Sequence, residues 1–358
     1  MKFNISKKEL SKHISIAQKA ISSRSAMQIL EGLLLVAENN TLTIIGTDTD
    51  LTIITSASAI VEEEGKIVVN SRLFGDIIRK LDDSDIKITI EKHNMNIICN
   101  KSEFNITCQS PDEYPMVTNF EEKNSFKISS EELKEAIRKT SFAVSQEDTR
   151  KMFTGVYMDC TKGINFVALD GFRMSLVKLN KETKESKSII PATSLNELSK
   201  ILEDSQVDVK VGENKILFEF ENTKLYSNLF GGEYFSYKDL IRDNHTTKVK
   251  VDRGLFQISL ERASLLAKEE RANLIKLEIK KNSLIISSNT EIGNVTEEIP
   301  CQTEGDELTI AFNSKYLLDG IKIIEDKDIV LNFTDSVNPC IINTDSYTYL
   351  VLPVRLAK

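Results

Sequence analysis

The sequence is poor in every pattern that announces metal binding or catalysis. His13, His93 and His245 are its only histidines, and they are scattered without the spacing of metal ligands. Each reads as a solvated or core side chain. The five cysteines, Cys99, Cys108, Cys160, Cys301 and Cys340, include no CxxC pair. Most fall in stretches that read as strands, so buried free thiols in a reducing cytoplasm are expected. There is no P-loop, no GxSxG elbow, no HExxH and no DxDxDG loop, so neither a cofactor nor a metal is indicated. No apolar run approaches the ~20 residues of a membrane span. The opening MKFNISKKEL lacks the apolar centre of a signal peptide, which points to a cytoplasmic chain with no membrane partner. Positive charge is not in excess either: 46 Lys and Arg against 54 Asp and Glu leave a net charge of −8. That argues against a generic basic nucleic-acid binder.

What is present is repetition. With 41% hydrophobic and 28% charged residues, the 358-residue chain has a globular composition. The stretch from Pro191 to Tyr237 reads as a helix followed by two or three strands. Ser194 and Glu197 have the spacing of a capping box, Leu195, Leu198, Ile201 and Leu202 form one apolar stripe, and VDVKV and ILFEF alternate as half-buried strands do. The same plan recurs around KLDDSDIKI and IIEDKDIVL. A second plan recurs as well. FNISKKEL, FKISSEEL and VKVDRGLF begin at Phe3, Phe126 and Val249, each 123 residues from the next. Ser6–Glu9 and Ser129–Glu132 are capping boxes and Asp252 caps the third helix. The expectation is an α+β chain of three duplicated two-layer domains, residues 1–122, 123–246 and 247–358, with helices on one face and antiparallel sheets on the other. About 120 residues suit an independent core, and the period is too long for a solenoid of about 20–50 residues. Three equal copies favour an arc or ring.

The charge is unevenly spread. The predicted helices carry Lys7, Lys8, Lys12 and Lys19; Arg72, Arg79 and Lys80; Lys134, Arg138 and Lys139; Lys200; Arg253, Arg262, Lys268 and Arg271; and Lys315 and Lys322. Carboxylates gather in VEEEG, in the acidic turns and in NFEEK. One basic helix face alone reads as solvated. Six placed alike read as a wall for phosphates. With no aromatic platform and no Arg/Asn/Gln grouping, the expected contact is with the phosphate backbone, without sequence preference.

ILEGLLLVAENNTLTIIGTDTDL, SPDEYPMV, ALDGFRMSLV and the terminal YLVLPVRL, set in three equal domains, closely resemble the bacterial β sliding clamps, the processivity subunits of DNA polymerase III. The resemblance spans the whole chain. It implies a head-to-tail homodimer whose six domains close around duplex DNA, with twelve helices inside and sheets outside. Twelve helices about 10 Å across give a circumference of roughly 120 Å, a mean diameter of ~38 Å and a bore of ~28 Å, which passes a duplex loosely. DNA-facing residues would be Arg24, Lys12, Arg72, Arg79, Lys80, Arg138, Lys139 and Lys200.

The resemblance also implies a hydrophobic cleft for short linear motifs of DNA polymerase III alpha-type subunits, the clamp loader, other polymerases and repair proteins. Carried over by position, it comprises Phe153, Leu169, Gly171, Phe172, Arg173, Met174, Leu240, Leu350, Leu352, Pro353, Val354, Arg355 and Leu356. Phe153, the Tyr234-Phe235 pair, Asp239 and Arg242 depart from the usual residues there. Ser25 and Gln28 replace familiar prolines, and the loop near Ala192 and Thr193 has fewer basic residues. The dimer seam would join Phe104 and Ile106, on an edge strand, to Leu265, Leu266 and Leu274. Ile106 reads equally well as core. Two other readings stay open: an enzyme of the same build with a carboxylate pocket at Asp48 or Asp170, and a scaffold that binds only proteins. The three loops that carry Asp48-Thr49-Asp50, Asp170-Gly171 and Asn289-Thr290-Glu291 differ enough to favour turn chemistry over metal binding.

Overall fold

The computed structural model describes residues 1–22, 27–116, 120–269 and 272–355. The first third runs β1 (Lys2–Ser6), α1 (Lys7–Ala17), β2 (Gly32–Glu38), β3 (Thr41–Thr47), β4 (Leu51–Ser58), β5 (Ile60–Glu63), β6 (Gly65–Asn70), α2 (Ser71–Lys80), β7 (Asp85–Glu91), β8 (Asn94–Cys99) and β9 (Ser102–Thr107). The second runs β10 (Asn124–Ser129), α3 (Ser130–Thr140), β11 (Gly155–Asp159), β12 (Ile164–Leu169), β13 (Arg173–Leu179), β14 (Lys187–Pro191), α4 (Ala192–Ile201), β15 (Gln206–Val211), β16 (Lys215–Phe220) and β17 (Thr223–Asn228). The third runs β18 (Thr247–Asp252), α5 (Arg253–Ala267), β19 (Leu274–Ile279), β20 (Ser283–Thr290), β21 (Gly293–Pro300), β22 (Gln302–Gly305), β23 (Leu308–Asn313), α6 (Ser314–Ile321), β24 (Asp328–Phe333), β25 (Cys340–Asn343) and β26 (Tyr347–Val351). Among the described residues, strand, helix and three strands therefore occur six times.

The helix starts follow from local chemistry. Ser6 Oγ accepts from Glu9 N at 3.3 Å, Asn70 Oδ1 from Leu73 N at 2.9 Å, Asp252 Oδ1 from Leu255 N at 2.8 Å and Asn313 Oδ1 from Lys315 N at 2.9 Å. Ser129 and Glu132 form the full reciprocal box, with Glu132 N donating to Ser129 Oγ at 3.3 Å and Ser129 N to Glu132 Oε2 at 3.2 Å. The box expected at Ser194 is not there. Helix α4 begins at Ala192, directly after β14, so Ser194 is its third residue. Its buried hydroxyl instead accepts from Ser227 Oγ at 2.8 Å, while Glu197 takes a bond from Lys200 Nζ at 2.7 Å.

The chain forms two compact units. The first is 1–134 with 193–229, the second 135–192 with 230–358, so the middle third is divided between them. The first unit holds a five-stranded sheet, β5-β1-β7-β8-β9, and an eight-stranded sheet, β10-β15-β16-β17-β4-β3-β2-β6. Leu10, Ile14 and Ala17 of α1 and Phe74, Ile77 and Ile78 of α2 pack into one core with Phe3, Leu35, Ile44, Ile88 and Ile97 from the strands. The second unit holds a nine-stranded sheet, β14-β11-β12-β13-β26-β25-β24-β18-β22, and a four-stranded one, β21-β20-β19-β23.

Both large sheets are continued across one junction of the same kind. In the first unit β4 pairs antiparallel with β17, from Leu51 opposite Ser227 to Thr55 opposite Thr223. In the second, β13 pairs with β26, from Arg173 opposite Val351 to Val177 opposite Tyr347. In each case the last strand of one three-strand set meets the last strand of another. Near the second junction the alternation of half-buried strands breaks down: β11, β12 and β26 are buried along their whole length. Helices cover one face of a sheet, so apolar side chains on the other face need cover of their own. Residues 230–241 supply it, and they form one wall of the site.

Candidate functional site

The β12–β13 turn sets the geometry. Asp170 Oδ1 accepts from Phe172 N at 2.9 Å and Arg173 N at 3.0 Å, and Gly171 takes a φ of +91°, a conformation that favours glycine. The turn pushes Phe172 outward, 57% exposed, with its ring stacked on Tyr316 at 5.8 Å between centroids. Beyond the turn, Met174 lies opposite Leu350 across the β13–β26 junction, both buried. Leu352 N donates to Phe172 O at 2.8 Å and Val354 N to Ala311 O at 2.8 Å, which ties the chain's tail beside this surface. Leu352 is 38% exposed, Pro353 and Val354 are half-buried, and Arg355 is exposed.

Behind these residues lies one apolar cluster. Leu169, Met174, Leu350, Tyr157 and Tyr237 form its floor, and Met152, Phe153, Phe230, Tyr234, Leu240 and Ile241 pack around it half-buried. Tyr234 stacks on Tyr157 with centroids 4.6 Å apart, and Phe153 meets the Tyr234 ring edge-on at 5.8 Å. The structure thus brings Phe153, Leu169, Met174, Leu240 and Leu350 together, as carried over by position. Tyr157, Tyr237, Tyr316 and Ile341 belong to the same surface or its backing and were not singled out. The aromatic run GGEYFSY was the available signal for Tyr237. Phe235, Asp239 and Arg242 are exposed.

Arg173 acts from beneath. It is buried, with Nε 3.0 Å from Asp170 Oδ2, Nη1 2.6 Å from Asp319 Oδ2 and Nη2 3.0 Å from Phe142 O. Its guanidinium carbon sits 4.7 Å from the Tyr316 ring centroid. Burial opposes its charge, but Tyr349, Asp319 and Asp170 more than offset that and raise its pKa. The side chain is a pillar that joins the β12–β13 turn to α6.

The basic helical residues divide into two groups. Lys12 pairs with Glu203 at 2.8 Å, Arg79 with Asp76 at 2.5 Å, Arg138 with Glu325 at 2.8 Å, Lys139 with Glu135 at 2.5 Å and Lys200 with Glu197 at 2.7 Å. Arg72 and Lys80 are exposed and make no ion pair among the described residues. Where both partners are exposed, as in Arg79–Asp76, such a pair is worth about 0–1 kcal/mol. Arg24, Ser25, Arg271 and Leu356 lie outside the described residues.

Two of the edge strands are the last of a three-strand set: β9 ends the five-stranded sheet and β21 the four-stranded one. Phe104 on β9 is 38% exposed, while Ile106 is half-buried against the core. In the second unit Leu265 is 63% and Ile292 69% exposed, and Leu266 and Leu274 are half-buried. Ile292, in the β20–β21 turn, was missed because no periodicity marks a single loop residue.

The carboxylates of the enzyme reading are occupied as turn-makers. Asp48 Oδ1 accepts from Asp50 N at 3.0 Å and Leu51 N at 2.7 Å, as Asp170 does in its own loop. A separate polar cavity of about 500 Å³ is lined by Asp243, His245, Lys248, Lys250, Gln302, Glu304, Val330, Asn332 and Asn343. Among the described residues its lining includes no Ser, Thr or Cys. No group of three or more potential metal ligands occurs among the described residues, and none of their helices is long and apolar enough to cross a membrane.

Comparison with known proteins gives the same fold. The family models for the N-terminal, central and C-terminal domains of the DNA polymerase III beta subunit match residues 1–118, 127–235 and 238–355. The beta sliding clamp of Bacillus subtilis is 37% identical, with 99% of this chain and 100% of that protein covered. The crystal structure of the DNA polymerase sliding clamp from Bacillus subtilis superimposes with a TM-score of 0.96 at 35% identity, covering 100% of both chains. The structure of a DNA polymerase III beta subunit from Eubacterium rectale gives 0.96 at 32% identity, covering 99% of this chain and 100% of that one.

Proposed function

The chain belongs to the family of DNA polymerase III beta subunits, and we infer on that footing that it is a DNA sliding clamp, the processivity factor of a replicative polymerase. Its partners are DNA and the polymerase. It contributes tethering rather than chemistry, in keeping with the turn roles of Asp48 and Asp170.

The reading extends to assembly. Two internal junctions, β4 with β17 and β13 with β26, follow one rule. The strands that the same rule leaves over are β21, at the end of the third domain's first half, and β9, at the end of the first domain's second half. Joining β21 of one subunit to β9 of another repeats the junction head to tail, and two such joins close a ring of two subunits. Transferring the internal register sets Gly293 opposite Ile106, Asn294 opposite Asn105 and Val295 opposite Phe104. Exposed Phe104, Leu265 and Ile292 would then be covered, with Leu266 and Leu274 beside them. The basic residues Arg24, Lys12, Arg72, Arg79, Lys80, Arg138, Lys139 and Lys200 meet phosphates without reading bases, which lets the ring slide.

The apolar surface beside Leu352 receives short linear motifs. The observation that carries this reading is the apolar cluster around Met174 and Leu350 beside the tail anchored by Leu352. Polymerase, clamp loader and repair proteins would share this one site.

The decisive experiment is topological. Labelled protein is loaded by a clamp loader onto a nicked circular plasmid and isolated by gel filtration. Linearising the plasmid should release it within minutes. Retention on the linear form would overturn the sliding reading.

A further inference from the structure

Residues 230–241 cover the β11–β13 surface, yet little backbone bonding holds them. Phe230 N donates to Ile189 O at 2.9 Å at the start of the segment. Further on, the bonds are local: Asp239 N to Ser236 O and Ile241 N to Lys238 O, both at 3.3 Å. A single 3-10 turn, Tyr237–Leu240, carries Leu240 to the apolar cluster. One such turn is not stable on its own.

The missing restraint comes from a buried carboxylate. Asp159, the last residue of β11, is almost wholly enclosed. Its Oδ2 accepts from Tyr237 Oη at 2.8 Å and pairs with Lys238 Nζ at 3.0 Å. Its Oδ1 accepts from Thr161 N at 3.0 Å and Thr161 Oγ1 at 2.7 Å. Both carboxylate oxygens are thus doubly engaged, and two of the four partners are consecutive residues of the 3-10 turn. The Tyr237 ring also meets Tyr157 edge-on at 6.2 Å.

We propose that Asp159 is a positioning residue for the peptide cleft, and that with Tyr237 and Lys238 it forms a clasp that sets where the Leu240 wall stands. The proposal rests on the cleft reading above. A hydrophobic contact alone tolerates sliding by a fraction of an ångström. A carboxylate with four directed donors specifies one position, and losing a donor leaves a buried acceptor underused. The groove's width, and with it the fit of a partner's apolar side chains, then depends on a residue that no ligand touches.

The protonation states agree. Burial pushes the Asp159 carboxyl up, but bonds from Thr161, Tyr237 and Lys238 outweigh this and hold it below its ordinary value. Burial and Asp159 together raise the Tyr237 phenol, so it remains the donor.

Tyr237→Phe keeps the ring and removes only the hydroxyl. The test measures binding of the pentapeptide Gln-Leu-Ser-Leu-Phe by calorimetry, alongside hydrogen exchange of the full chain. The variant should bind about ten- to a hundredfold more weakly, the size of one lost hydrogen bond to a charged acceptor. Exchange should quicken at Asp239 and Ile241 and stay unchanged in β12 and β13. Asp159→Asn, which keeps an acceptor for Tyr237, should restore most of the affinity relative to Asp159→Leu. Unchanged affinity and exchange in Tyr237→Phe would overturn the proposal. So would faster exchange throughout the second unit, which would mark a merely structural role. If the unaltered protein fails to bind the peptide, the cleft reading itself falls.

Discussion

A single buried imidazole ties helix α1 to the junction between β4 and β17. His13 Nδ1 lies 2.6 Å from Thr55 Oγ1, which lies 2.9 Å from Thr223 Oγ1 on the facing strand. Burial lowers the pKa of His13, offset only in part by Glu9. The neutral form is therefore the folded form. Its contribution to stability is complete above the unfolded value of about 6.5 and is lost as pH falls below that toward the depressed folded value. Burial also lowers His245, with the same sign. Thermal melts from pH 7.5 to 5 should show a falling midpoint, and His13→Gln should flatten that slope. An unchanged slope would remove His13 as its source. Scattered histidines could be read from sequence as core or solvated, but not the Thr55–Thr223 pair, whose members are far apart in the chain and meet only through strand pairing. Leu352 belongs to the same scale. Leu352→Ala should weaken peptide binding about tenfold or more, as loss of an apolar anchor does, with a melting temperature close to that of the parent.

At the scale of elements, helix α6 depends on one close approach. A Cβ on Gly320 would collide with the Tyr349 ring, which is fully buried and held by a 2.6 Å bond from its hydroxyl to Tyr316 O. Neither side can yield, so Gly320→Ala should destabilise the chain by about 1–3 kcal/mol in denaturant melts, the usual range for overpacking. It should also weaken peptide binding, because α6 carries Tyr316 and Asp319, the supports of Phe172 and Arg173. A neutral result would mean that α6 shifts freely. Capping chemistry made the starts of most helices legible from local sequence. It misled at α4, where Ser194 and Glu197 have the spacing of a box. There the preceding strand delivers the chain directly into a helix at Ala192, and packing against Ser227 outranks a local cap.

At the scale of the molecule, the proposed assembly follows from one junction used repeatedly. Facing residues on paired strands bring their Cβ atoms about 4.5–5.5 Å apart, so Asn105→Cys combined with Asn294→Cys should cross-link into a covalent dimer under oxidation. Neither single variant should do so at that seam. Absence of the cross-link in the double variant would place the seam elsewhere. The basic faces act at this scale too. Arg72→Glu with Lys80→Glu should weaken direct equilibrium binding to short linear duplex and flatten its dependence on salt, since fewer counterions are released. Binding that ignores these changes would remove α2 from the DNA-facing surface.

The sequence by itself determined the periodic parts. The 123-residue spacing, the apolar stripes, the caps and the alternating strands announce strand–helix–strands six times over, and shared motifs were enough to identify the family. Local interactions carry that information, so a linear reading recovers it. Only the tertiary structure decided what depends on pairing between distant segments. It turned Arg173 from a wall residue into a buried pillar between Asp170 and Asp319, paired Lys12, Arg79, Arg138, Lys139 and Lys200 with carboxylates, and left β9 and β21 at sheet edges. It also brought Asp159 to Tyr237, 78 residues apart. Such contacts arise where separate strands and turns converge, and no spacing along the chain encodes them.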